Sequence, residues 1–204
     1  ALDNDLFVPG TRDQDYTAGI NISYSSKSAD NSWNLLDTPL AGLDNIFLGA
    51  VNDHTNKQGE NNQSSLYTVE AGLYGFTPED KQAQQPNHDD RPFASLLYVS
   101  SSREYLDSSE TKAWQSRLTL GILGLDTFGN LQDAVHKATG SAEVHGWDSQ
   151  ISEGGELTAR YQLSKQSRIT TNSDSVQLKW AQQVSVGYLT EASLSISTRA
   201  GQFG

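Results

Sequence analysis

An all-β fold is what this sequence predicts, specifically an antiparallel β-barrel that crosses a membrane, and three observations predict it. Apolar and polar residues alternate with a period of two along several separate segments. Only 35% of the residues are hydrophobic. That is low for a soluble enzyme with a full core and ordinary for a barrel whose strands are apolar on one face. No run of 18 apolar residues exists, so a spanning helix is excluded. A polar, loop-rich β-sandwich fits any single strand about as well; repetition over about eight segments favours the barrel.

The chain has 204 residues, with no internal repeat and no linker, and reads as a single domain over 1–204. It contains no Cys, which excludes a structural disulfide, a thiolate zinc site and a Cys nucleophile. A net charge of −11 argues against nucleic acid as a partner and favours divalent cations. Ala1-Leu2-Asp3 has no basic or apolar leader region, so it reads as a mature start after signal removal or as a start lacking Met.

Residues 3–8 form the first expected strand, ended by Pro9-Gly10. From Tyr16 to Ser25 the alternation is clearest: Ile20, Ile22 and Tyr24 point one way, Asn21, Ser23 and Ser25 the other. Residues 26–64 do not alternate. Asp37-Thr38-Pro39 starts a helix with Pro in its first turn, placed outside the membrane. Further strands are expected at Leu66–Phe76, Arg91–Ser101 and Trp114–Leu123, with a polar turn at 104–111. Three more are expected around Leu157–Leu163, Val176–Val186 and Leu194–Arg199. Glu70, Arg117, Arg160 and Arg199 fall on the polar face, as a polar barrel interior requires.

Between the fifth and sixth strands, about 30 residues lose strand periodicity. A short helix is expected there, in an extracellular loop. Asp126-Thr127 supplies its entry cap. His136 lies four residues after Gln132, so both share one helix face, and Leu131 and Val135 share the neighbouring face that packs the helix down. With strands running up and down, Asn4, Asp5 and Thr17 flank the first loop and reach the same rim as His136. A carboxylate, a carboxamide, a hydroxyl and an imidazole are the right types for cation-assisted hydrolysis. The bland alternative is strong, because Asp, Asn and Thr beside a turn are mostly turn formers. His54 and His88 lie in polar loops, and His145 is too far along for helical pairing with His136. No zinc-protease helix, nucleophile elbow or phosphate loop is present.

At these residues the sequence resembles the outer-membrane lipid A 3'-O-deacylase family of Gram-negative bacteria. The matching pieces are Asn4-Asp5, Asp15-Tyr-Thr-Ala-Gly19, Phe76-Thr-Pro78 and Asp90-Arg-Pro-Phe-Ala94, followed by Gln132 with His136, Gly146-Trp147 and Gln150. The resemblance spans nearly the whole chain. It implies a twelve-stranded barrel in the bacterial outer membrane and a calcium-dependent carboxylic ester hydrolase. The reaction would remove the 3'-linked acyloxyacyl group from lipid A of lipopolysaccharide. Carried over by position, His136 is the general base, Gln132, Asn4 and Thr17 belong to the catalytic site, and Asp5 holds calcium. Lys81 stands for a functional lysine in the loop after the Thr-Pro segment, at a different spacing. The acidic residue that follows the histidine falls at Ala142, with Glu143 adjacent as a substitute. The implied partners are lipid A and outer-membrane lipid, and the expected state is a monomer. About eight strands are visible against the family's twelve, so a missing C-terminal third is expected. Two rivals remain: an outer-membrane phospholipase, and a non-catalytic barrel in which His136 is structural.

Overall fold

The computed structural model describes residues 2–4, 18–27, 35–47, 63–78, 89–106, 111–140, 144, 146–169 and 175–201. Eight strands lie in one sheet in chain order: β1 (Leu2–Asn4), β2 (Ala18–Ser26), β3 (Gln63–Phe76), β4 (Ala94–Leu106), β5 (Lys112–Leu123), β6 (Glu156–Ile169), β7 (Val176–Gly187) and β8 (Glu191–Ala200). Helix α1 (Asp37–Phe47) follows β2, and helix α2 (Thr127–Thr139) follows β5 with a short 3₁₀ turn at Trp147–Ser149. A strand stands at each of the eight expected places and both helices are present, although residues 5–8 of the first expected strand and 16–17 of the second lie outside the described residues. Among the described residues, no helix is long and apolar enough to cross a membrane.

Strand lengths differ from the alternation at polar ends. β4 runs on to Leu106, past the expected stop at Ser101, and β6 runs on to Ile169. In β4 the extension carries Ser102, Arg103 and Glu104, where polar residues occupy both faces and the period-two signal vanishes. Backbone pairing does not need that signal. β6 pairs with β7 through Ile169↔Leu178, well beyond its last clear alternation.

Within the chain two compact units are distinguished. The first comprises Ala1–Ser23, Glu70–Val99 and Leu120–Thr158. In it β1 pairs antiparallel with β2, placing Leu2 opposite Ile20 and Asn4 opposite Ala18. Ile20, Ile22, Val99 and Leu157 are exposed large apolar side chains. The opposite face is polar and paired: the Tyr98 hydroxyl donates to Glu70 Oε1 at 2.8 Å.

The second unit comprises Tyr24–Val69, Ser100–Thr119 and Ala159–Gly204. Register puts Leu163 opposite Val184, Tyr161 opposite Val186 and Trp180 opposite Ile196. Directly opposed residues share a face, so these form the apolar side. Leu194 and Ile196 are 78% and 76% exposed there. On the other side Arg160 bonds Glu191 at 2.5 Å, and Gln183 Nε2 donates to the same carboxylate at 2.8 Å. Gln162 Nε2 extends the network to Gln183 Oε1 at 3.2 Å. Away from Tyr161, which helix α1 covers, exposed apolar residues on one face and paired charges on the other match a lipid-facing and an interior surface.

Helix α1 is fastened within this unit by polar anchors. Arg103 grips the Asp37 carboxylate with Nε at 3.0 Å and Nη2 at 2.7 Å. Asp44, buried, accepts the hydroxyls of Ser116 and Tyr161, each at 2.8 Å. Phe47 stacks on Tyr161 at 5.3 Å between centroids, and Leu40 is fully buried.

Candidate active site

In the first unit, α2 lies on the apolar side of the strands, and small residues let it come close. Phe128 packs over Gly75 of β3, where any Cβ would fall on the phenyl ring. Gly129 gives the same access to Trp147, whose Cγ would stand 2.9 Å from an added Cβ. Trp147 is then clamped between two rings, Phe93 at 5.0 Å and Phe128 at 5.2 Å between centroids. Leu73 and Val144 complete this buried cluster. Tilted rings at such separations add a modest attraction to their burial.

The segments on both sides of the helix are fastened to the beginning of β4. Ile151 N–H donates to the Phe93 carbonyl at 2.8 Å, and Gly124 N–H to the Ser95 carbonyl at 2.9 Å. Ser95 Oγ lies 2.8 Å from the Leu125 carbonyl and 2.9 Å from Gln150 Oε1. Gln150 Nε2 donates to Asp126 Oδ1 at 3.1 Å. Asp126 occupies the expected cap position, yet its side chain makes no capping bond, because Gln150 takes it instead. The helix ends on Gly140, left-handed at φ 71°, whose N–H returns to the His136 carbonyl.

Gln132 is at the centre. It is only 7% exposed, and its Oε1 accepts the Trp147 indole N–H at 2.9 Å. Its Nε2 is buried without a hydrogen-bond partner among the described residues. An unpaired buried donor costs about 1–3 kcal/mol, and such a group calls for an explanation. His136 follows one turn later on the same stripe as Phe128 and Gln132 and is half-buried. The expectation that Leu131 packs the helix is corrected, since Leu131 is 45% exposed. Phe128 and Gln132 face the sheet instead, so the buried stripe includes a polar residue. The Val135 side chain lies outside the described residues.

Beside this cluster a groove of about 550 Å³ opens along the strands of the first unit. Its walls are aliphatic, including Ile20, Ile22, Leu73, Val99, Ile122 and Leu157. Leu73 belongs both to the groove and to the cluster beneath α2. Polar groups on a helix thus sit next to an apolar trough.

A family model described as outer membrane protein LpxR matches residues 1–204. The chain belongs to the LpxR outer membrane protein family. It is accordingly a protein of the bacterial outer membrane. The solved structure of LpxR from Salmonella typhimurium is similar with a TM-score of 0.60 at 15% identity, over 92% of this chain and 52% of that one. The chain therefore spans about half the length of that relative. At this identity the likeness is one of fold, an antiparallel all-β sheet on the LpxR plan. No curated protein sequence matches the chain.

Of the site residues expected from sequence, Gln132 and His136 come together on α2. Asn4 ends the described part of β1, opposite Ala18, in the same compact unit. Asp5, Thr17, Lys81, Ala142 and Glu143 lie outside the described residues. Among the described residues no three His, Asp or Glu side chains cluster as a metal site. The aromatic clamp and the Ser95–Gln150–Asp126 chain were not expected. Trp147 and Gln150 appeared in the sequence only as motif pieces, and contacts 15 and 24 residues apart carry no periodic signal.

Proposed function

We propose that this chain is a lipid A 3'-O-deacylase, hydrolysing the ester that carries the 3'-linked acyloxyacyl group. The observation that carries this reading is the placement of α2. An imidazole and an amide stand on one helix stripe, packed on the apolar side of the strands and beside an aliphatic groove. A water-soluble substrate has no need of that arrangement, whereas an ester with its acyl chain in the membrane does. Membership of the LpxR family supports the same substrate class.

In this reading His136 takes a proton from water as its oxygen adds to the ester carbonyl carbon. The tetrahedral adduct then expels the sugar oxygen, which receives the proton from the His136 imidazolium. The products are a free acyloxyacyl acid and a 3'-hydroxyl. By the family resemblance, Gln132 and Asn4 would orient the ester, and Thr17 and Lys81 would belong to the same catalytic set. Consecutive Asn4 and Asp5 offer the oxygen donors that a hard cation prefers, and we assign Asp5 to calcium. Bound there, the ion would polarise the ester carbonyl. The groove would receive the acyl chain.

The test is mass spectrometry of lipid A and phospholipids from cells expressing the complete protein. Loss of the 3' acyloxyacyl mass, abolished in His136→Ala with the protein still inserted, is the expected result. Acyl loss from phospholipid alone would assign the phospholipase reading. Normal release by His136→Ala would remove that residue from the mechanism.

A further inference from the structure

We propose that helix α1 lies in the membrane and not in water, with its outward stripe of Leu35, Pro39, Gly42 and Ile46 set among lipid acyl chains just below the headgroups. The inference goes beyond the hydrolase reading and does not depend on it.

A helix on the surface of a water-soluble protein turns apolar residues to the core and charged ones to solvent. In α1 the charges are on the inward side. Its two charged residues, Asp37 and Asp44, are both held there, with buried Leu40 between them. Arg103 takes the Asp37 carboxylate, and its Nη2 also reaches the Asp37 carbonyl at 3.2 Å. Asp44 receives the hydroxyls of Ser116 and Tyr161. At about 3.6 residues per turn, Pro39, Gly42 and Ile46 fall opposite Asp37, Leu40 and Asp44, and Leu35 extends that stripe into the turn before the helix. Leu35 is 87% and Ile46 68% exposed, and a Cβ added at Gly42 would meet nothing within 4 Å. Uncharged Thr38 and Asn45 flank the stripe. From residue 35 to 47 no charged side chain is left for the outward side.

What covers that stripe follows from the wall on which α1 leans. Tyr161 stands in register with Val186, and Leu163 with Val184, so the helix sits on the apolar side of its unit, where Val184 and Val186 are exposed. The paired charges of Arg160 and Glu191 are on the other side. The chain belongs to an outer-membrane family, and the apolar side of an outer-membrane barrel meets lipid. Two surfaces bathed in lipid gain little by hydrophobic attraction, so hydrogen bonds and close packing must join them. The contacts of Arg103, Ser116 and Tyr161 with α1 are joints of that kind. The helix also leaves little backbone polarity bare at its entry: Pro39 has no N–H, and Leu40 N–H bonds the Leu36 carbonyl at 3.0 Å. Its depth is marked by Trp114, two residues before Ser116 and on the same face, whose ring centroid lies 4.6 Å from Lys165 Nζ. Tryptophan and a lysine that reaches for water belong to the membrane boundary. Lost alternation alone sets this helix outside the membrane; the inward polar contacts reverse that reading.

The chain contains no Cys, so one introduced cysteine gives a single labelling site within it. Ile46→Cys and, separately, Leu35→Cys are made in the complete protein, with any Cys elsewhere in it changed to Ser, labelled with a fluorophore and inserted into phosphatidylcholine vesicles. Three quenchers are compared: phosphatidylcholine carrying a nitroxide near the headgroup end of its acyl chain, the same lipid with the nitroxide near the chain end, and iodide in the water. Both labels should lose emission to the nitroxide lipids, more to the shallow one, and should be quenched by iodide less than the free fluorophore is. Quenching by iodide at the rate of the free fluorophore, with none from the nitroxide lipids, would put the helix in water and overturn the inference. Stronger quenching by the deep nitroxide would overturn the depth assigned. A label that no quencher reaches until the protein is diluted with lipid would reveal a second copy of this chain on the stripe, and would overturn it as well. Both side chains are exposed, so cysteine at either position disturbs no packing; should one variant fail to insert, the other decides. Acyl release is not read in this test, so a negative result leaves the hydrolase reading standing, and loss of that reading leaves this result standing.

Discussion

Lysine placed on either side of one strand tests which face of the sheet meets lipid. Ile196 of β8 is 76% exposed and stands opposite Trp180, itself 37% exposed. Ser195, one residue earlier, lies opposite Ala181 and so falls on the other face, the side of Gln183 and Glu191. If the apolar face is against hydrocarbon, Ile196→Lys must hold an ammonium there. The cost is about 2–4 kcal/mol near the bilayer midplane, a loss of roughly 30- to 1,000-fold in the folded-to-unfolded ratio. Ser195→Lys puts the same charge on the polar interior face and should cost less than about 0.5 kcal/mol. The assay is urea unfolding of protein inserted in lipid vesicles, followed by tryptophan fluorescence. Equal penalties for the two variants, or a larger one for Ser195→Lys, would refute the assignment of faces. Repeating the pair in detergent provides a control, because a flexible micelle lets the lysine reach water more easily.

Other consequences are equally direct. Gly75→Val should displace Phe128 and loosen α2, costing about 1–3 kcal/mol in the urea midpoint and lowering acyl release; an unchanged midpoint would mean that the helix does not rest on β3. Asp44→Ala should strand the buried hydroxyls of Ser116 and Tyr161 at about 1–3 kcal/mol each, while Asp44→Asn, which keeps an acceptor, should cost less. The idea that Asp44 anchors α1 fails if both variants unfold at the wild-type midpoint. Chelating divalent cations should stop acyl release and added calcium should restore it; full activity in chelator would remove calcium from the proposal.

How much of this could be read in the sequence depended on contrast between neighbours along a strand. β2 was legible because Ile20, Ile22 and Tyr24 alternate with Asn21, Ser23 and Ser25, a pattern that lipid on one side and polar groups on the other would produce. The far ends of β4 and β6 were not, because polar residues there lie on both faces and only backbone pairing keeps the strand going. Helix α2 was placed correctly but laid on the wrong side. Hydropathy made Leu131 a packing residue, whereas it is exposed and Gln132 is buried. No local rule would bury a glutamine in preference to a leucine. The choice is made by Trp147, fifteen residues away, and by the rings of Phe93 and Phe128 that fix it.

That reversal has a physical reason tied to where the site lies. An apolar helix stripe would pack well, but in the proposed hydrolase it would present nothing to an ester. A fully polar stripe would have to be hydrated, which a lipid-facing surface does not allow. The stripe found here is mixed. Phe128 supplies the packing, Trp147 shields one end of Gln132 and satisfies it, and only the donor end is left unmatched. Exposed Leu131 is compatible with this, since on the outer surface of a membrane protein an exposed leucine meets lipid rather than water. If the proposed hydrolase reading holds, the unsatisfied amide and the exposed leucine are two results of one requirement: a polar group must be held dry, with its direction fixed, at the edge of the membrane.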